Sequence, residues 1–331
     1  MKALLYQASR DILSQSSSGG AFSGIIHSFY SLHTEGVCYG AAFDKCFSVR
    51  HQAAHTEKEA EKFRTSKYCF SEFSITLPEI AELLKKDKSV LFSGTPCQVD
   101  ALIKYLEYRK VNHENLYTVD VLCHGTPENK WWDEYKKWFE EKNHSKLDFF
   151  SFRWKYARWH GYSVCAKLKN GKIKVNTHDL QVYMDLYFTH QIMRKCCYQC
   201  KFATNKRCSD ITLGDFWGAK QIFKDRINYK QIEDGVSLII CNTNKGRKVI
   251  NLLVEQNNKT AMIIKCDSDK YIDYQSALVK PVEKPSNNEL FEKEYKEKGF
   301  EYILNKYARY NKKGHVRFFI KWIANQLGLI H

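Results

Sequence analysis

The chain has 331 residues, of which 44% are hydrophobic and 27% charged, so it has the size and composition of a globular protein with one large domain or two ordinary ones. Its net charge of +15 favours anionic partners, but the basic residues are spread along the chain rather than gathered in a stripe, which argues against nucleic-acid binding. No apolar run is long enough for a signal peptide or a spanning helix. We therefore expect a cytoplasmic protein whose 12 cysteines are core residues and ligands rather than disulfides.

The amino-terminal part of the chain predicts a polar loop followed by helices. The loop SQSSSGG at 14–20 leads into a segment in which hydrophobic residues from Phe22 to Phe29 recur at helical spacing. Small residues ahead of a helix leave its first backbone N–H groups available to an anion, but they also form an ordinary N-cap, and the sequence alone allows both. Further on, the residue pattern predicts a helix at 57–64, a β-prone segment at 66–73 and a helix at 77–86.

Two consecutive stretches share one layout. SVLFSGTPCQVDALIKYL and LYTVDVLCHGTPENKWWDEYKKWF each predict a strand, a loop that contains Gly-Thr-Pro, and a helix. Strand–loop–helix repeated in this way predicts parallel strands, and ligands collect at the carboxyl ends of such strands. Cys97 and Cys123 lie in the two loops. We therefore predict an α/β fold with mixed α+β elements, in which helices flank a central mixed sheet and both cysteines lie at its rim.

The second half of the chain has a different character. An Asn-Gly pair between two β-prone runs predicts a hairpin at 170–171, and residues 179–193 predict a helix. A cysteine-rich insertion, the strand-like runs ITLGDFWG and GVSLIICNT, a helix and a basic amphipathic helical C-terminus follow. We predict three regions, namely an α/β ligand-binding region at 1–145, a region with the C-x-x-C and GDFWG motifs at 146–285, and the helical tail at 286–331.

The cysteine-rich insertion centres on Cys197-Tyr-Gln-Cys200. This C-x-x-C spacing lets two sulfurs bind one metal from a tight turn, and it suits half of a zinc site, half of an iron–sulfur site or a redox dithiol. The redox dithiol of thioredoxin type fits least, because the preceding segment is helix-like rather than a strand. Two further sulfurs would come from Cys196 and Cys208 in a local zinc knuckle, or from the two cysteines at the rim. Spacing leaves this choice open.

Several segments occur in an order that identifies a family. They are SSGGAFS from Ser17, SKY at 66–68, SGTPCQVDAL, VLCHGTP, CYQCKF and SDITLGDFWG, followed by GVSLIICNTNKG, which ends at Gly246. Together these segments resemble the coenzyme F-420 hydrogenase/dehydrogenase beta-subunit family over most of the chain. Bacterial members that accompany surface-polysaccharide synthesis are the expected relatives.

The resemblance implies an iron–sulfur flavoprotein that passes electrons between a 4Fe–4S cluster and FAD. Carried over residue by residue, the implied cluster ligands are Cys97, Cys123, Cys197 and Cys200. The implied catalytic residues are Lys67, which would neutralise a phosphate or the reduced flavin, and His124, which would relay a proton or else bond a backbone carbonyl. The residues implied to bind FAD, in region 1–145 and in the GDFWG turn, are Ser17, Ser18, Gly19, Gly20, Ser66, Lys67, Tyr68, Thr95, Pro96, Gly214, Asp215 and Trp217.

An oxidoreductase is therefore the main hypothesis. The chain begins too late for the ferredoxin-like segment of many relatives, so we expect a separate electron donor, either a ferredoxin-like protein or a reduced coenzyme. The expected acceptor is an anionic small molecule or a glycan-linked intermediate, and the basic tail would pack on the protein or hold it at the inner membrane surface. Lys195, Cys196 and Cys208 depart from the family pattern. The alternative hypothesis is accordingly a zinc-stabilised transferase or binding module that has lost the flavin.

Overall fold

A computed structural model of the chain describes residues 2–155, 163–257 and 259–310, with the single positions 313, 316, 320 and 324 beyond them. The chain is a mixed α/β protein, as predicted, and it forms two compact units. The division into 1–145, 146–285 and 286–331 stays a prediction. The sheet unit comprises the described residues of Met1–Thr65, Ser71–His124 and Cys200–Pro281, and the aromatic unit comprises those of Ser66–Phe70, Gly125–Gln199 and Val282–His331.

The described residues form the following strands and helices. The strands are β1 (Ala3–Gln7), β2 (Val37–Phe43), β3 (Val49–Ala54), β4 (Val90–Gly94), β5 (Leu116–Val121), β6 (Leu147–Ser151), β7 (Cys165–Leu168), β8 (Ile173–Val175), β9 (Ile211–Asp215), β10 (Ser237–Cys241) and β11 (Met262–Lys265). The helices are α1 (Arg10–Ser14), α2 (Ala21–Leu32), α3 (Glu57–Ala60), α4 (Thr76–Lys85), α5 (Pro96–Tyr108), α6 (Asn129–Lys142), α7 (His178–Phe188), α8 (Ala219–Ile222), α9 (Tyr229–Glu233), α10 (Asn244–Asn257) and α11 (Asn288–Lys306). Short 3-10 helices lie at Glu61–Phe63, Lys195–Gln199, Asp269–Tyr274 and Ser276–Leu278.

The sheet unit is built on an eight-stranded mixed sheet in the order β11-β1-β10-β9-β5-β4-β2-β3. Its central strands β9, β5, β4 and β2 are parallel, and the outer strands pair antiparallel. The two predicted strand–loop–helix stretches are confirmed as parallel neighbours, because β4 pairs with β5 and each strand is followed by a helix. The carboxyl ends of the central strands thus share one edge.

Helices cover both faces of this sheet, and successive side chains of each strand point alternately to the two faces. Leu91 of β4 belongs to a core cluster with residues of α2 and α10, whereas its neighbours Val90 and Phe92 pack with residues of α4 and α5. β4 is thus covered on both faces, and its first three residues are apolar and buried, as expected for the parallel part of a sheet.

The aromatic unit combines a three-stranded antiparallel sheet, β6-β7-β8, with α6, α7 and α11. The predicted hairpin is confirmed: β7 pairs with β8 across a turn in which Gly171 has φ 84°. Aromatic side chains fill the core, where Trp132 contacts Phe152 at a ring distance of 5.0 Å and Tyr183 at 5.5 Å. Trp131 packs on Phe291 of α11 at 5.2 Å, which attaches this helix to α6.

Two local predictions are wrong. Residues 66–73 form no strand apart from an isolated bridge at Glu72, and two of their carbonyl groups accept hydrogen bonds from side chains instead of from a neighbouring strand. In the aromatic unit the Tyr183 hydroxyl donates to the Tyr68 carbonyl, and in the sheet unit the Gln98 amide donates to the Ser71 carbonyl. The helix predicted at 179–193 ends at Phe188, since the chain soon turns into the left-handed region at His190.

The helical C-terminus is confirmed as far as α11, which is kinked at Gly299 with φ 79°. Apart from four single positions, the basic tail after residue 310 lies outside the described residues. In the part of the chain that the structure describes, no helix combines the length and apolarity that crossing a bilayer requires.

Candidate functional site

The candidate site is the edge of the large sheet where β4, β5 and β9 end. Gly94 at the end of β4 is paired with Asp120 of β5, and Cys97 and Cys123 each follow three residues later. The backbone of Leu122 continues along β9 with an N–H···O bond of 2.8 Å to Leu213. Because these strands are parallel, the two cysteine-bearing loops and the GDFWG turn leave the sheet at the same edge.

Cys97 lies exposed in the first turn of α5. The sequence Thr-Pro-Cys-Gln begins a helix well, since Thr95 and Gln98 form a capping box and Pro96 occupies the first turn. Gln98 Oε1 accepts from the Thr95 N–H at 2.9 Å and from its hydroxyl at 3.0 Å. The same hydroxyl oxygen lies 3.1 Å from Cys97 Sγ. The amino-terminal end of a helix favours a thiolate, so Cys97 is well placed as a metal ligand.

A buried network that sequence reasoning missed supports this loop. The Gln98 amide donates to the Ser71 carbonyl at 2.8 Å, and the Ser71 hydroxyl lies 2.8 Å from His51 Nδ1. His51 Nε2 lies 2.9 Å from the Ser93 carbonyl, so Nε2 carries the proton and Nδ1 accepts from Ser71. Burial lowers the pKa of His51 to about 4, which keeps the imidazole neutral. No local pattern marks these residues, because they meet only in the folded chain.

Three contacts attach the segment from Cys200 to Cys208 to the same part of the sheet unit. Lys201 Nζ lies 3.7 Å from Asp100 of α5. Cys208 Sγ lies 3.5 Å from the Pro96 carbonyl oxygen, and burial raises the pKa of this thiol to about 11.

The third contact is an ion pair of 2.8 Å between the buried side chains of Arg207 and Asp120. Cys200 and Cys208 are themselves half-buried.

Cys197 belongs to the aromatic unit and lies on the 3-10 helix Lys195–Gln199. Its sulfur is 3.5 Å from the backbone nitrogen of Thr126, and its own N–H donates to the Arg194 carbonyl at 2.8 Å. Gly125 has φ 99°, and a Cβ there would lie 3.4 Å from Cys197 Cβ. Burial raises the pKa of the Cys197 thiol. Binding of metal to such thiols must release their protons.

The glycines of the SSSGG loop are explained by packing within the sheet unit. A Cβ on Gly19 would lie 2.2 Å from the Tyr6 carbonyl oxygen and 2.5 Å from the Ser237 nitrogen, so the loop needs glycine to rest on β1 and β10. Gly20 has φ 83° at the start of α2. The Ser18 hydroxyl donates to the Val236 carbonyl at 2.9 Å. These contacts explain why the loop contains glycines, and the explanation does not require a bound ligand. The assignment of residues 17–20 to FAD stays a prediction.

The segment Ser66-Lys67-Tyr68 lies in the aromatic unit. The Tyr68 ring packs edge-on against Tyr187 at 4.9 Å. Lys67 keeps part of its surface accessible, yet desolvation by burial lowers the pKa of its ammonium to about 7. A lysine in this state carries a transferable proton near neutral pH. The predicted roles of these three residues stay predictions.

In the GDFWG turn the core residue is Phe216, which is 1% exposed, whereas Trp217 is half-buried. The Gln275 amide donates to the Asp215 carbonyl at 3.0 Å and fixes the turn. Gly218 has φ 85° and lies against the Tyr274 ring, where a Cβ would approach to 2.2 Å. Trp217 therefore keeps surface that a ligand could cover.

His124, the other predicted catalytic residue, lies at the same sheet edge. Its Nδ1 is 3.5 Å from the Ser276 hydroxyl oxygen.

The described residues contain no group of three or more His, Cys, Asp and Glu side chains arranged to hold a single metal ion. A tetrahedral zinc ion requires sulfurs at about 2.3 Å from one centre. The local zinc knuckle is thus not preformed in the described part of the chain. A 4Fe–4S cluster requires four cysteine ligands and binds each thiolate through a separate iron. The four sulfurs therefore lie farther apart than the sulfurs around a zinc ion. In donor chemistry the predicted residues suit a cluster.

The chain is thus a mixed α/β protein in which two cysteine-bearing loops leave the large sheet at one edge. The chain belongs to the family described as the C terminus of the coenzyme F420 hydrogenase/dehydrogenase beta subunit, which matches residues 87–264. The matched range contains Cys97, Cys123, Cys197, Cys200 and the GDFWG turn. The predicted family is therefore confirmed. By its description it is a family of hydrogenase and dehydrogenase subunits, and therefore of oxidoreductase components.

A comparison with solved structures agrees at the level of the fold. A chain in the xenon-derivatised F420-reducing NiFe hydrogenase complex from Methanosarcina barkeri is similar, with a TM-score of 0.53 and 15% sequence identity. The similarity covers 89% of this chain and 92% of that chain. The comparison with curated proteins found no match.

Proposed function

We propose that the chain is an iron–sulfur flavoprotein oxidoreductase in which Cys97, Cys123, Cys197 and Cys200 hold a 4Fe–4S cluster and an anionic acceptor is reduced or oxidised. The observation that carries this proposal is the family match over 87–264, which includes all four cysteines. It is supported by the register of two parallel strands, because Cys97 and Cys123 each lie three residues after a pair of residues that face each other in these strands.

The residues around the ligands would prepare them for metal. The α5 amino terminus stabilises a thiolate at Cys97, and the Thr126 N–H points at the sulfur of Cys197. Hydrogen bonds to thiolate ligands fix their orientation and stabilise their charge. The remaining ligands, Cys123 and Cys200, lie in the sheet unit together with Cys97.

FAD, when bound, supplies hydride transfer and accepts electrons singly from a cluster. Lys67 would hold or release a proton near the flavin or one of its phosphates, which its lowered pKa permits. Trp217 would cover one face of the ring with its accessible surface, and His124 would carry a proton at the rim. The SSSGG loop would contribute the backbone N–H groups at the start of α2.

Charge supports an acidic electron donor and an anionic acceptor. Lys195, Lys201 and Lys206, which flank the C-x-x-C motif in sequence, are exposed, and the chain carries a net charge of +15. Exposed positive charges attract negatively charged partners and accelerate their association at low ionic strength. A separate reductant such as a ferredoxin-like protein or a reduced coenzyme would supply the electrons. The acceptor would be a phosphorylated or glycan-linked intermediate of surface-polysaccharide synthesis.

The proposal is tested by purifying the full chain without oxygen and measuring its flavin, iron, sulfide and zinc content together with its visible spectrum. We expect flavin bands, and about four irons and four sulfides per chain. One zinc without flavin would instead support the zinc-stabilised module and overturn the proposal.

Matched cysteine variants test the ligand assignment. We expect Cys97→Ser to remove most of the iron and Cys208→Ser to retain it. If Cys208→Ser loses the iron while Cys97→Ser keeps it, the ligand assignment is wrong.

A further inference from the structure

The Thr95 side chain caps α5 and also lies beside a predicted ligand. Its hydroxyl oxygen is 3.1 Å from Cys97 Sγ and 3.0 Å from Gln98 Oε1. A hydroxyl has one proton to donate, so it can satisfy only one of these two acceptors at a time.

In the metal-free structure the Thr95 hydroxyl donates to Gln98 Oε1, and the Cys97 sulfur lies beside the same hydroxyl. A sulfur bound to iron has no proton and can only accept. The hydroxyl proton can then turn to the sulfur, because Gln98 Oε1 keeps its bond of 2.9 Å from the Thr95 N–H and is not left unsatisfied.

The surrounding network keeps Thr95 in place for this exchange. The amide of Gln98 is held by the Ser71 carbonyl, and Ser71 is held by His51, which is itself bonded to the Ser93 carbonyl. Gln98, Ser71 and His51 are 3%, 6% and 3% exposed. A donor anchored by buried partners is pre-organised and does not have to be ordered when the sulfur binds iron.

We propose that Thr95 is a positioning residue whose hydroxyl donates to the iron-bound Cys97 sulfur and raises the reduction potential of the cluster. This inference rests on the proposed function. A hydrogen bond to a ligand sulfur withdraws negative charge from the cluster, and it therefore stabilises the reduced state, which is the more negative one.

The test compares three variants of the full chain, purified without oxygen. Thr95→Ser keeps the hydroxyl. Thr95→Val removes it with little change of shape, and Thr95→Gly removes it while remaining an acceptable N-cap. We measure iron and sulfide content, the midpoint potential by redox titration, and the coupling of the reduced cluster to exchangeable protons by electron–nuclear double resonance in H₂O and D₂O.

We expect Thr95→Ser to titrate like the wild type, and Thr95→Val and Thr95→Gly to shift to lower potential and to lose one exchangeable-proton coupling. A wild-type protein with no iron and sulfide overturns the proposed function. A wild-type protein with a cluster, but with unchanged potential and proton coupling in both hydroxyl-free variants, overturns the role of Thr95 and leaves the proposed function standing. Loss of iron from both hydroxyl-free variants at an unchanged melting temperature, with iron retained in Thr95→Ser, supports the positioning role.

Discussion

Arg207 Nη2 lies 2.8 Å from Asp120 Oδ2, and the two side chains are 2% and 0% exposed. The pair joins the residue before Cys208 to the strand that leads to Cys123. Removing one member of a buried ion pair leaves the other charge without compensation in a medium that solvates it poorly. We therefore expect this ion pair both to stabilise the sheet unit and to hold the cysteine segment in position.

We expect Asp120→Leu to lower the free energy of unfolding by about 3–5 kcal/mol, because it leaves the Arg207 guanidinium buried and uncompensated. Urea unfolding monitored by far-UV circular dichroism measures this loss. The control is the double variant Asp120→Leu/Arg207→Met, which replaces the pair by apolar groups and should recover most of the stability.

If the double variant is stable but takes up less iron than the wild type, the pair also holds the cysteine segment in position. If the single and double variants were destabilised equally, the uncompensated charge left by the single substitution could not be the cause of the destabilisation.

The second prediction concerns the SSSGG loop, whose first glycine is required by packing. Gly19→Ala places a Cβ 2.2 Å from a carbonyl oxygen of β1 and 2.5 Å from a nitrogen of β10, and neither backbone can move easily. We expect a loss of about 1–3 kcal/mol or more, as for an overpacked core. Thermal melts with and without added FAD measure it.

Gly171→Ala is the matched control for Gly19→Ala. A Cβ at Gly171 meets nothing within 4 Å, although its φ of 84° adds strain of about 1–2 kcal/mol. If Gly19→Ala melts like the wild type and fails only to bind flavin, the loop is a ligand cradle and the packing explanation is wrong.

The third prediction follows from the neutral, buried imidazole of His51. Its pKa is about 4 in the folded chain and about 6.5 when unfolded, so between these values the unfolded state binds the extra proton. His51 therefore contributes its full stability above pH 6.5 and loses it as the pH falls toward 4, by about 3 kcal/mol in total. The difference in unfolding free energy between the wild type and His51→Gln, measured from pH 7.5 to 4, reports this loss.

Gln can donate to the Ser93 carbonyl and accept from Ser71 without titrating, so the His51→Gln variant should show a flatter pH dependence than the wild type. If the unfolding free energies of the two proteins changed in parallel with pH, His51 would be protonated equally in the folded and unfolded states, and the prediction would be wrong.

Features of the fold that depend on residues close together in the sequence could be predicted, whereas contacts between residues far apart in the sequence could not. Helix α2 matches the hydrophobic spacing, and the parallel neighbours β4 and β5 follow from two repeated strand–loop–helix patterns, because periodicity and turn residues are local. The family was also recognisable, since its motifs are short and ordered.

Long-range partners were not predictable in this way. Nothing near His51 in the sequence indicates Ser71 or Ser93, and nothing near Arg207 indicates Asp120. The SSSGG loop predicted an anion site or an N-cap, but its first glycine is required by a strand that lies elsewhere in the chain. Likewise, Trp217 is the largest side chain of the GDFWG turn, yet Phe216 is the buried one. Side-chain partners of this kind are set by tertiary packing, which a single sequence does not show.

The last prediction tests the ligand assignment through the reactivity of the cysteines. Cys97, Cys46 and Cys196 are exposed, whereas Cys38 is 0% exposed and burial raises the pKa of its thiol to about 12. In metal-free protein we expect iodoacetamide to label the first three and to spare Cys38, because the exposed thiolate is the nucleophile. In protein carrying the cluster, Cys97 should become protected while Cys46 and Cys196 stay reactive. Mass spectrometry of the two labelled samples measures the change at each position. Cys97 labelled equally in both, or Cys196 protected in its place, would show that Cys97 does not bind the iron.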